Sequence, residues 1–414
     1  MKKQLLVLTA MTALLLVGCN SSKTGTLPSG GKDVDVTTED GQATLKAKLN
    51  STVEAYKNLK LDSASLTATT SGVNVSADVK ASMTNVGEMS LNASLKDFGA
   101  KVELKAARHE KGEGEEYDSL DASLVAKTTG GSVKLSGSVP GEEEGKTAKL
   151  DASLSLKGAE VGAYVTGSKL YVNLANDGNQ KLAEGVDAFA NKLLGQLKES
   201  SFGSLISLAL MSDDVKDIYN DKEGKFVIAD AYKEHAADAN VFLDLGKPVE
   251  FPKIEIEQNE DYTDFIKTIE DLAAKKVGFS FKTYSNNAYG FALAMDKESL
   301  KKMILAENDK DAQETVTQID KYIGKFSLNA DIYFNKDLLL ESAGVSFNLE
   351  GSLDKEVLGE EASMFESFSA KLSAKGSEKM EIKYNNAKVD FPSFEGYKEY
   401  KLFGGSSTQQ SAQD

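Results

Sequence analysis

The chain is poor in the residues that most often carry chemistry or cross-link a fold. Its 414 residues include one cysteine, two histidines, five prolines and no tryptophan. A single cysteine leaves no internal disulfide, so packing must stabilise the fold. His109 and His235 lie in polar segments without a second histidine or a cysteine nearby, which argues against zinc. With no nucleophile elbow and no glycine-rich phosphate loop, we predict a non-catalytic protein without a cofactor.

Basic residues are also in short supply. The chain has 48 lysines and arginines against 64 aspartates and glutamates, a net charge of −16. Nucleic-acid binding requires a basic face, and attachment to an anionic lipid surface requires a basic patch. The composition therefore excludes nucleic acid as a partner and excludes purely electrostatic membrane attachment.

Long apolar runs are absent except at the N-terminus. Leu5 to Val17 is an almost unbroken apolar run, follows Lys2 and Lys3, and is too short to span a bilayer comfortably. Leu16-Val17-Gly18-Cys19 resembles the lipobox of bacterial lipoproteins. The resemblance implies a signal peptide at residues 1–18, cleavage before Cys19, and a lipid attached to Cys19. We then expect an exported protein anchored to the bacterial cell membrane and facing outside the cytoplasm, with the outer membrane as the alternative.

The segment after Cys19 is rich in Ser, Gly and Thr, and we predict a flexible tether over residues 19–40 with an end-to-end distance of roughly 25 Å. A helix follows at Thr44 to Lys60, with apolar residues every three or four positions. From Ser65 to about Leu174 the apolar period becomes two, which predicts an antiparallel meander. We place its loops at residues 110–116, 130–131 and 141–145.

A short motif recurs within this meander. Leu91–Leu95, Leu120–Leu124 and Leu150–Leu154 share the pattern Leu-Asx-Ala-Ser-Leu at spacings of 29 and 30 residues. Two interpretations stay open: duplication of a two-strand hairpin, or convergent composition of similar strands. Both place many alanines on the inner side of the sheet, either against a helix or beside space for a ligand.

The rest of the chain alternates helices with strands. The patterns predict helices at 180–220, 257–276, 297–306 and 312–322, strands at 277–283, 289–296, 326–335, 338–350, 365–374 and 378–384, and a disordered tail at 404–414. Phe202 to Met211 is apolar on nearly every side, so it is either a core helix or a mobile lid over a cavity. Candidate ligand-lining residues are Phe189, Leu193, Phe202, Leu205 and Leu208.

Acidic runs and tyrosines are the remaining conspicuous residues. The acidic runs near Glu113 and Glu143 lack the spacing of a calcium loop, and we interpret them as solvated loop tips. Six tyrosines lie on or beside predicted strands. They indicate sheet packing rather than a platform for sugars or peptides: Tyr164, Tyr171, Tyr284, Tyr289, Tyr333 and Tyr384.

The order of elements resembles the LolA-like lipoprotein carriers and the LppX-like lipoproteins. The resemblance is strongest at Tyr164–Leu174, before the central helices, and at Asn329–Leu340, across a tight turn. It implies an α+β fold, a curved antiparallel half-barrel with helices on its concave face, holding acyl chains between helices and sheet. We expect one large domain at 41–403, with two related halves, 41–176 and 177–403, as the alternative.

Two functions follow from these observations. In the first, a protein anchored through the lipid on Cys19 binds a lipid or another apolar ligand between sheet and helices. In the second, the core is filled and the sheet is a structural scaffold that displays loops to a protein partner at the cell surface. A cavity between helices and sheet distinguishes the first from the second.

Overall fold

The computed structural model describes residues 27–83, 87–112, 116–143, 145–210, 212, 215, 217–220, 222–236, 238–252, 267, 278–306, 312–356 and 363–400. The helices within these residues are α1 Glu39–Lys57, α2 Asp177–Lys198, α3 Gly203–Ala209, α4 Ile228–Ala236, α5 Lys297–Ala306 and α6 Ala312–Tyr322. The strands are β1 Lys32–Val34, β2 Ser63–Met83, β3 Gly87–His109, β4 Ser119–Pro140, β5 Thr147–Ser155, β6 Glu160–Thr166, β7 Lys169–Asn173, β8 Tyr219–Asn220, β9 Lys225–Phe226, β10 Val241–Asp244, β11 Phe279–Thr283, β12 Tyr289–Asp296, β13 Ile323–Phe334, β14 Leu340–Asp354, β15 Phe365–Tyr384 and β16 Lys398–Glu399.

Fourteen of these strands form one sheet. Its order is β1-β11-β12-β13-β14-β15-β2-β3-β4-β6-β7-β10-β16, and β5 pairs with β4 beside that path. Every pairing is antiparallel except the short parallel pair of β10 with β16. The predicted α+β class with a large antiparallel sheet is therefore confirmed. Since β15 pairs with β2, the last long strand lies beside the first.

The sheet forks at β4. Residues 132–140 of this strand pair with β5, whereas residues 122–127 pair with β6. Both partners lie on the same edge of β4, one after the other, because β4 is much longer than either of them. The sheet therefore has two halves that share the long strands, and we call the half beside β5 the far half and the half beside β6 the near half.

A line of β-bulges separates the two halves. Strands β2, β3, β4 and β15 each have 20 to 23 residues, roughly 70 Å of extended chain. Their register shifts between Thr70 and Val73, between Lys96 and Gly99, and between Lys375 and Ser377. Bulges accommodate an extra residue, often a glycine with positive φ, and Gly131 has φ +122°.

These bulges overturn two boundaries predicted from the sequence. The predicted loop at Gly130-Gly131 is wrong because both glycines lie inside β4. The predicted separate strands at 365–374 and 378–384 are one strand, β15, with a bulge between them. Glycine marks both a turn and a bulge in a sequence, and only the paired strand distinguishes the two.

The repeated motif follows single long strands rather than hairpins. Leu91–Leu95 in β3 and Leu150–Leu154 in β5 flank residues 133–137 of β4 in the same register, so Leu91 and Leu150 both face Gly137. The copy at Leu120–Leu124 lies at the other end of β4. The 29-residue step therefore leads from β3 to β4 and the 30-residue step from β4 to β5, so each step covers one strand and its turn rather than a two-strand hairpin.

Helix α1 is confirmed, although it begins five residues before its predicted start. The Thr38 side chain accepts a hydrogen bond from the Gly41 amide at 3.1 Å, which caps the helix. Its apolar stripe, including Leu45 and Leu49, packs in a buried cluster with Phe281 and Phe291 of the sheet. This packing fixes α1 against β11 and β12.

Helix α2 is fastened to the sheet by side-chain amides. Gln196 accepts a hydrogen bond from the Asp151 amide at 3.0 Å and donates one to the Asp151 carbonyl at 3.3 Å. Asn179 makes the same pair of bonds to the backbone of Glu160 at 2.8 and 2.7 Å. Each side-chain amide thus makes the two backbone hydrogen bonds that a neighbouring strand would otherwise make at that residue. Helix α2 therefore lies along β5.

The predicted helix at 180–220 is only partly right. Helix α2 ends at Lys198, α3 follows as a short helix, and Tyr219–Asn220 is strand β8. That strand pairs with β9 across a turn in which Gly224 has φ +65°. The Ser200-Ser201 pair ends the apolar helical period before α3. There the Ser200 hydroxyl donates to the Leu197 carbonyl at 2.6 Å.

Three predictions match the observed bounds residue for residue: strand β12 and helices α5 and α6. The signal peptide at 1–18, Cys19, the tether as far as residue 26 and the tail at 404–414 lie outside the described residues, as does the helix predicted at 257–276 apart from Lys267. The rest of the predicted tether is described, and in it Lys32–Val34 is strand β1, paired with β11, and α1 begins at Glu39. None of the described helices combines the length and apolar character that crossing a bilayer requires.

Candidate ligand site

One face of the sheet is apolar in both halves. Cross-strand partners point to the same side of a sheet, so each row of paired residues shares a face. In the near half one row is Phe291, Ile332, Ala343, Met380, Ala68, Val102, Ala126 and Val161. In the far half a row on the same side is Leu353, Ala370, Val79, Leu91, Gly137 and Leu150.

The two rows belong to one continuous surface, which we call the apolar face. The register of β14 with β15 is unbroken from Ser342 to Asp354, so Ala343 and Leu353 point to the same side. Helices cover this face at two places. Helix α1 packs over Phe281 and Phe291, and α2 with Phe202 packs over Leu150.

Between these helices the apolar face is partly open. Six of its large apolar side chains expose between 37% and 45% of their surface: Leu349, Leu104, Val75, Leu372, Leu124 and Val161. A single exposed leucine needs no explanation, but a group of exposed apolar side chains on one face of a sheet is a candidate binding surface. The residues between these large side chains are mostly alanines, so this part of the apolar face is shallow.

A cavity of about 90 Å³ opens on this face over strands β12 to β15. Its walls are almost wholly hydrocarbon, because the strands present their alternating apolar side chains to it. The lining residues are Leu293, Leu328, Ala330, Asp331, Ile332, Ala343, Gly344, Val345, Glu378 and Met380.

Glu378 is the exceptional member of this lining. Its register partners are Val345 on one side and Thr70 on the other. Only 7% of its surface is exposed, and its Oε2 is buried without a hydrogen-bond partner in the described part of the chain. Burial raises the pKa of this carboxyl to about 7, because removal from water disfavours its charged form.

A buried carboxyl without a partner is costly, so it points to a function or to a missing contact. With a pKa of about 7 it is close to half-protonated at neutral pH. It can therefore accept a hydrogen bond or pair with a cation, at the floor of an otherwise apolar cavity. This combination suits a ligand with a hydrocarbon body and one polar group.

The opposite face of the sheet is polar or filled. Serines meet across strands there, with Ser76 and Ser373 hydroxyls 2.8 Å apart. Near β7 an aromatic cluster forms instead, in which the Tyr171 ring stacks on Phe394 with centroids 3.7 Å apart. All six tyrosines singled out in the sequence take part in ring contacts, which confirms sheet packing.

The sequence-predicted lining residues lie at the other end of the apolar face from this cavity. Phe202 packs against a cluster of Val139, Ala148 and Leu150. Phe189 and Leu193 are half-buried on α2, whereas Leu205 and Leu208 expose 66% and 68% of their surface. None of the five lines the cavity at Glu378, and their role in binding stays a prediction. Cys19 lies outside the described residues.

Polar clusters elsewhere form ordinary ion pairs. A surface cavity of about 620 Å³ is lined by Arg108, whose guanidinium lies 3.5 Å from Asp62 and 3.6 Å from Asp118. Beside it, Nδ1 of the exposed His109 is 3.5 Å from Asp121. Within the described ranges, no three His, Cys, Asp or Glu side chains come together as a metal site.

Glu378 belongs to the strand predicted at 378–384, but it is not among the site residues predicted from the sequence. A signal was present. Ala374, Gly376, Met380 and Ile382 alternate with charged and polar residues along β15, and Glu378 occupies an apolar position of that series. An acidic residue on the apolar side of a period-two strand is out of place, and that is how it could have been found.

Comparison with known proteins yields little. No family model matches the chain, and no curated protein matches it. A solved β-barrel-like protein of a domain of unknown function, DUF1849, from Brucella abortus is 8% identical, with 78% of this chain and 99% of that chain covered and a TM-score of 0.12. The InvG secretin-domain β-barrel of the Salmonella SPI-1 injectisome is also 8% identical, with 92% and 81% covered and a TM-score of 0.13. Both TM-scores are too low to support an argument.

Proposed function

We propose that this protein binds a lipid or another long-chain apolar ligand on the apolar face, between α1 and α2, without catalysing a reaction. The observation that carries the proposal is the open stretch of that face, where Leu104, Leu124 and Val161 stay half-exposed on the same face as the apolar cavity over β12 to β15. Covering such a surface with hydrocarbon contributes about 25 cal/mol for each Å² removed from water.

The proposal includes the finer architecture and location expected from the sequence. The sheet would be a half-barrel of the kind found in lipoprotein carriers, with its helices in the concave side. The positions of α1 and α2 on the same face of the sheet support this arrangement. A lipid on Cys19 would hold the protein on the outer side of a bacterial membrane.

Native mass spectrometry tests the proposal directly. The chain from Asn20 onward, which contains every described residue, is purified from a bacterial host and weighed before and after solvent extraction. A bound mass that extraction removes is the expected result. A protein that is empty and also fails to take up a fluorescent alkyl probe with an uncharged head group would contradict the proposal and favour a display scaffold with a filled core.

A matched pair of variants locates the binding surface. Leu124→Gln places an amide on the open part of the apolar face, and we expect it to weaken probe binding about tenfold, since polar atoms there lose water on binding. Lys127→Gln introduces the same side chain three residues along β4, on the opposite face, and should leave affinity unchanged. Equal effects of the two variants would place the ligand elsewhere.

A further inference from the structure

The cavity at Glu378 has a charge preference built into its lining. Within the described residues that form it, no lysine, arginine or histidine is present, and the titratable group on the apolar face is the carboxyl of Glu378. Asp331 lies one position from Ile332 on β13, so its side chain is on the opposite face. A ligand carboxylate or phosphate would bring a second negative charge into this hydrocarbon and find no cation. The cavity therefore disfavours anionic head groups.

A protonated amine has the complementary chemistry. It donates N–H groups, and the buried Oε2 of Glu378 lacks a donor. It also carries the charge that offsets a desolvated carboxylate, and such charge-assisted hydrogen bonds are about twice as strong as neutral ones. An alcohol supplies the hydrogen bond without the charge, so it should bind less tightly.

A track for an alkyl tail leads away from the carboxyl. Along β15 the next residues on the apolar face are Gly376 and Ala374, which are small, followed by Leu372, which is 43% exposed. Leu372 lies six positions from Glu378, roughly 20 Å along the strand. The flanking strand β14 presents larger side chains, Phe347 and Leu349, beside this low strip.

We infer that Glu378 receives the protonated amino group of a single-chain amphiphile, whose tail lies over Gly376 and Ala374 toward Leu372. The inference rests on the proposed function and names the class of ligand: a long-chain primary amine rather than a fatty acid or a phospholipid. A cavity of about 90 Å³ has room for an ammonium group and the first part of one chain, not for a phosphate-bearing head group with two chains.

Three ligands that differ only in their head group test this assignment. Dodecylamine, dodecanol and dodecanoate are titrated at pH 7.4, below their micellar concentrations, against a protein loaded with a fluorescent alkyl probe. The chain from Asn20 onward is used as wild type, as Glu378→Gln, and as Glu381→Gln. The last variant makes the same change on the same strand at an exposed residue of the opposite face.

We expect wild type and Glu381→Gln to bind dodecylamine at least tenfold more tightly than dodecanol, and dodecanoate most weakly. Glu378→Gln should lose that tenfold preference while keeping its affinity for dodecanol. Equal binding of all three ligands, or a preference that survives Glu378→Gln, would overturn the head-group assignment and leave apolar binding intact. Failure of the probe and all three ligands to bind would overturn both proposals.

Discussion

At the scale of single residues, Glu378 combines a structural cost with a candidate role. A carboxyl with a raised pKa binds a proton more readily in the folded state than in the unfolded state, where its pKa has the usual value of 4.5. The unfolded state then holds fewer protons between pH 4.5 and about 7, so the free energy of unfolding decreases as pH rises through this range.

Glu378→Gln should remove this dependence. A shift of the pKa from 4.5 to about 7 lowers the free energy of unfolding of the wild type by about 3 kcal/mol at pH 8 relative to pH 4. Urea unfolding at the two pH values should therefore show the variant gaining stability over wild type at pH 8 and not at pH 4. Val345 and Thr70, which face the carboxyl from β14 and β2, do not titrate.

Glu381→Gln provides a control, because its expected effect on the free energy of unfolding at pH 8 has the opposite sign to that of Glu378→Gln. Lys379 lowers the pKa of Glu381 by donating a hydrogen bond to it, so this carboxylate stabilises the fold above its usual pKa and the contribution disappears as pH falls. The variant should therefore be slightly less stable than wild type at pH 8. If both variants changed stability alike, burial of Glu378 would not be the cause.

Sequence reasoning could recognise such residues only in part. The predicted strand at 378–384 included Glu378, and the period-two pattern could also have placed it on the apolar side of that strand. It could not establish burial, because burial depends on β14 and β2, which approach from distant parts of the chain. The predicted lining residues were chosen from one apolar helix, and local hydrophobicity alone does not locate a cavity formed by four strands.

At the scale of elements, two of the three glycines in helix α2 have contrasting surroundings. A Cβ added at Gly195 would meet nothing within 4 Å, whereas one added at Gly185 would lie 2.9 Å from Cδ1 of Leu154 in β5. Glycine in a helix interior costs about 1 kcal/mol relative to alanine. The two sites therefore separate helix propensity from helix–sheet packing.

Gly195→Ala should raise the free energy of unfolding by about 1 kcal/mol. Gly185→Ala gains the same helix propensity, but its new methyl group must displace Leu154. We therefore expect its free energy of unfolding to be about 1 kcal/mol lower than that of Gly195→Ala. Chemical denaturation of both variants at one pH measures the difference. Equal gains would mean that α2 does not pack closely on β5.

Elements were predicted well where a local signal defines them. Helices α5 and α6 and strand β12 were found residue for residue, because their apolar period and flanking turns are both local. Bulges were mistaken for loops at Gly130-Gly131, since an interrupted period looks the same in both cases. Helix 180–220 was extended too far because an apolar period alone does not show where Tyr219 leaves it for β8.

At the scale of the whole molecule, the long strands join two separate clusters of buried residues. Leu45 and Phe281 belong to the cluster under α1, and Val139 and Leu150 to the cluster beside α2. Strands β2, β3 and β4 run through both halves of the sheet. We therefore expect the two clusters to unfold together.

Leu45→Ala tests this coupling. Leu45 is fully buried, and truncating such a leucine typically costs 2 to 5 kcal/mol. Hydrogen exchange in denaturant should show α1 and the distant strand β5 losing protection at the same, lower denaturant concentration. Leu305→Ala, at an exposed leucine of α5, should leave the protection of both α1 and β5 unchanged. Loss of protection at α1 alone would show that the halves unfold independently.

The connectivity of the sheet lay beyond sequence reasoning. The alternating patterns predicted antiparallel strands and their approximate order within 65–174. They carried no information about which distant segments pair, such as β2 with β15, where the bonded serines Ser76 and Ser373 are 297 residues apart. Pairing at that separation is decided by the register of whole strands rather than by local composition.

The side-chain amides on α2 have a consequence for self-association. An uncovered strand edge is a template on which a second chain can add its own strand, and long edges are the usual starting points of aggregation. Here the strands at the two ends of the sheet are short, with three residues in β1 and two in β16. On the edge of β5, the Gln196 side chain makes hydrogen bonds to the backbone N–H and C=O of Asp151. We therefore expect copies crowded side by side to find only short strand edges at the two ends of the sheet, which disfavours strand addition between molecules.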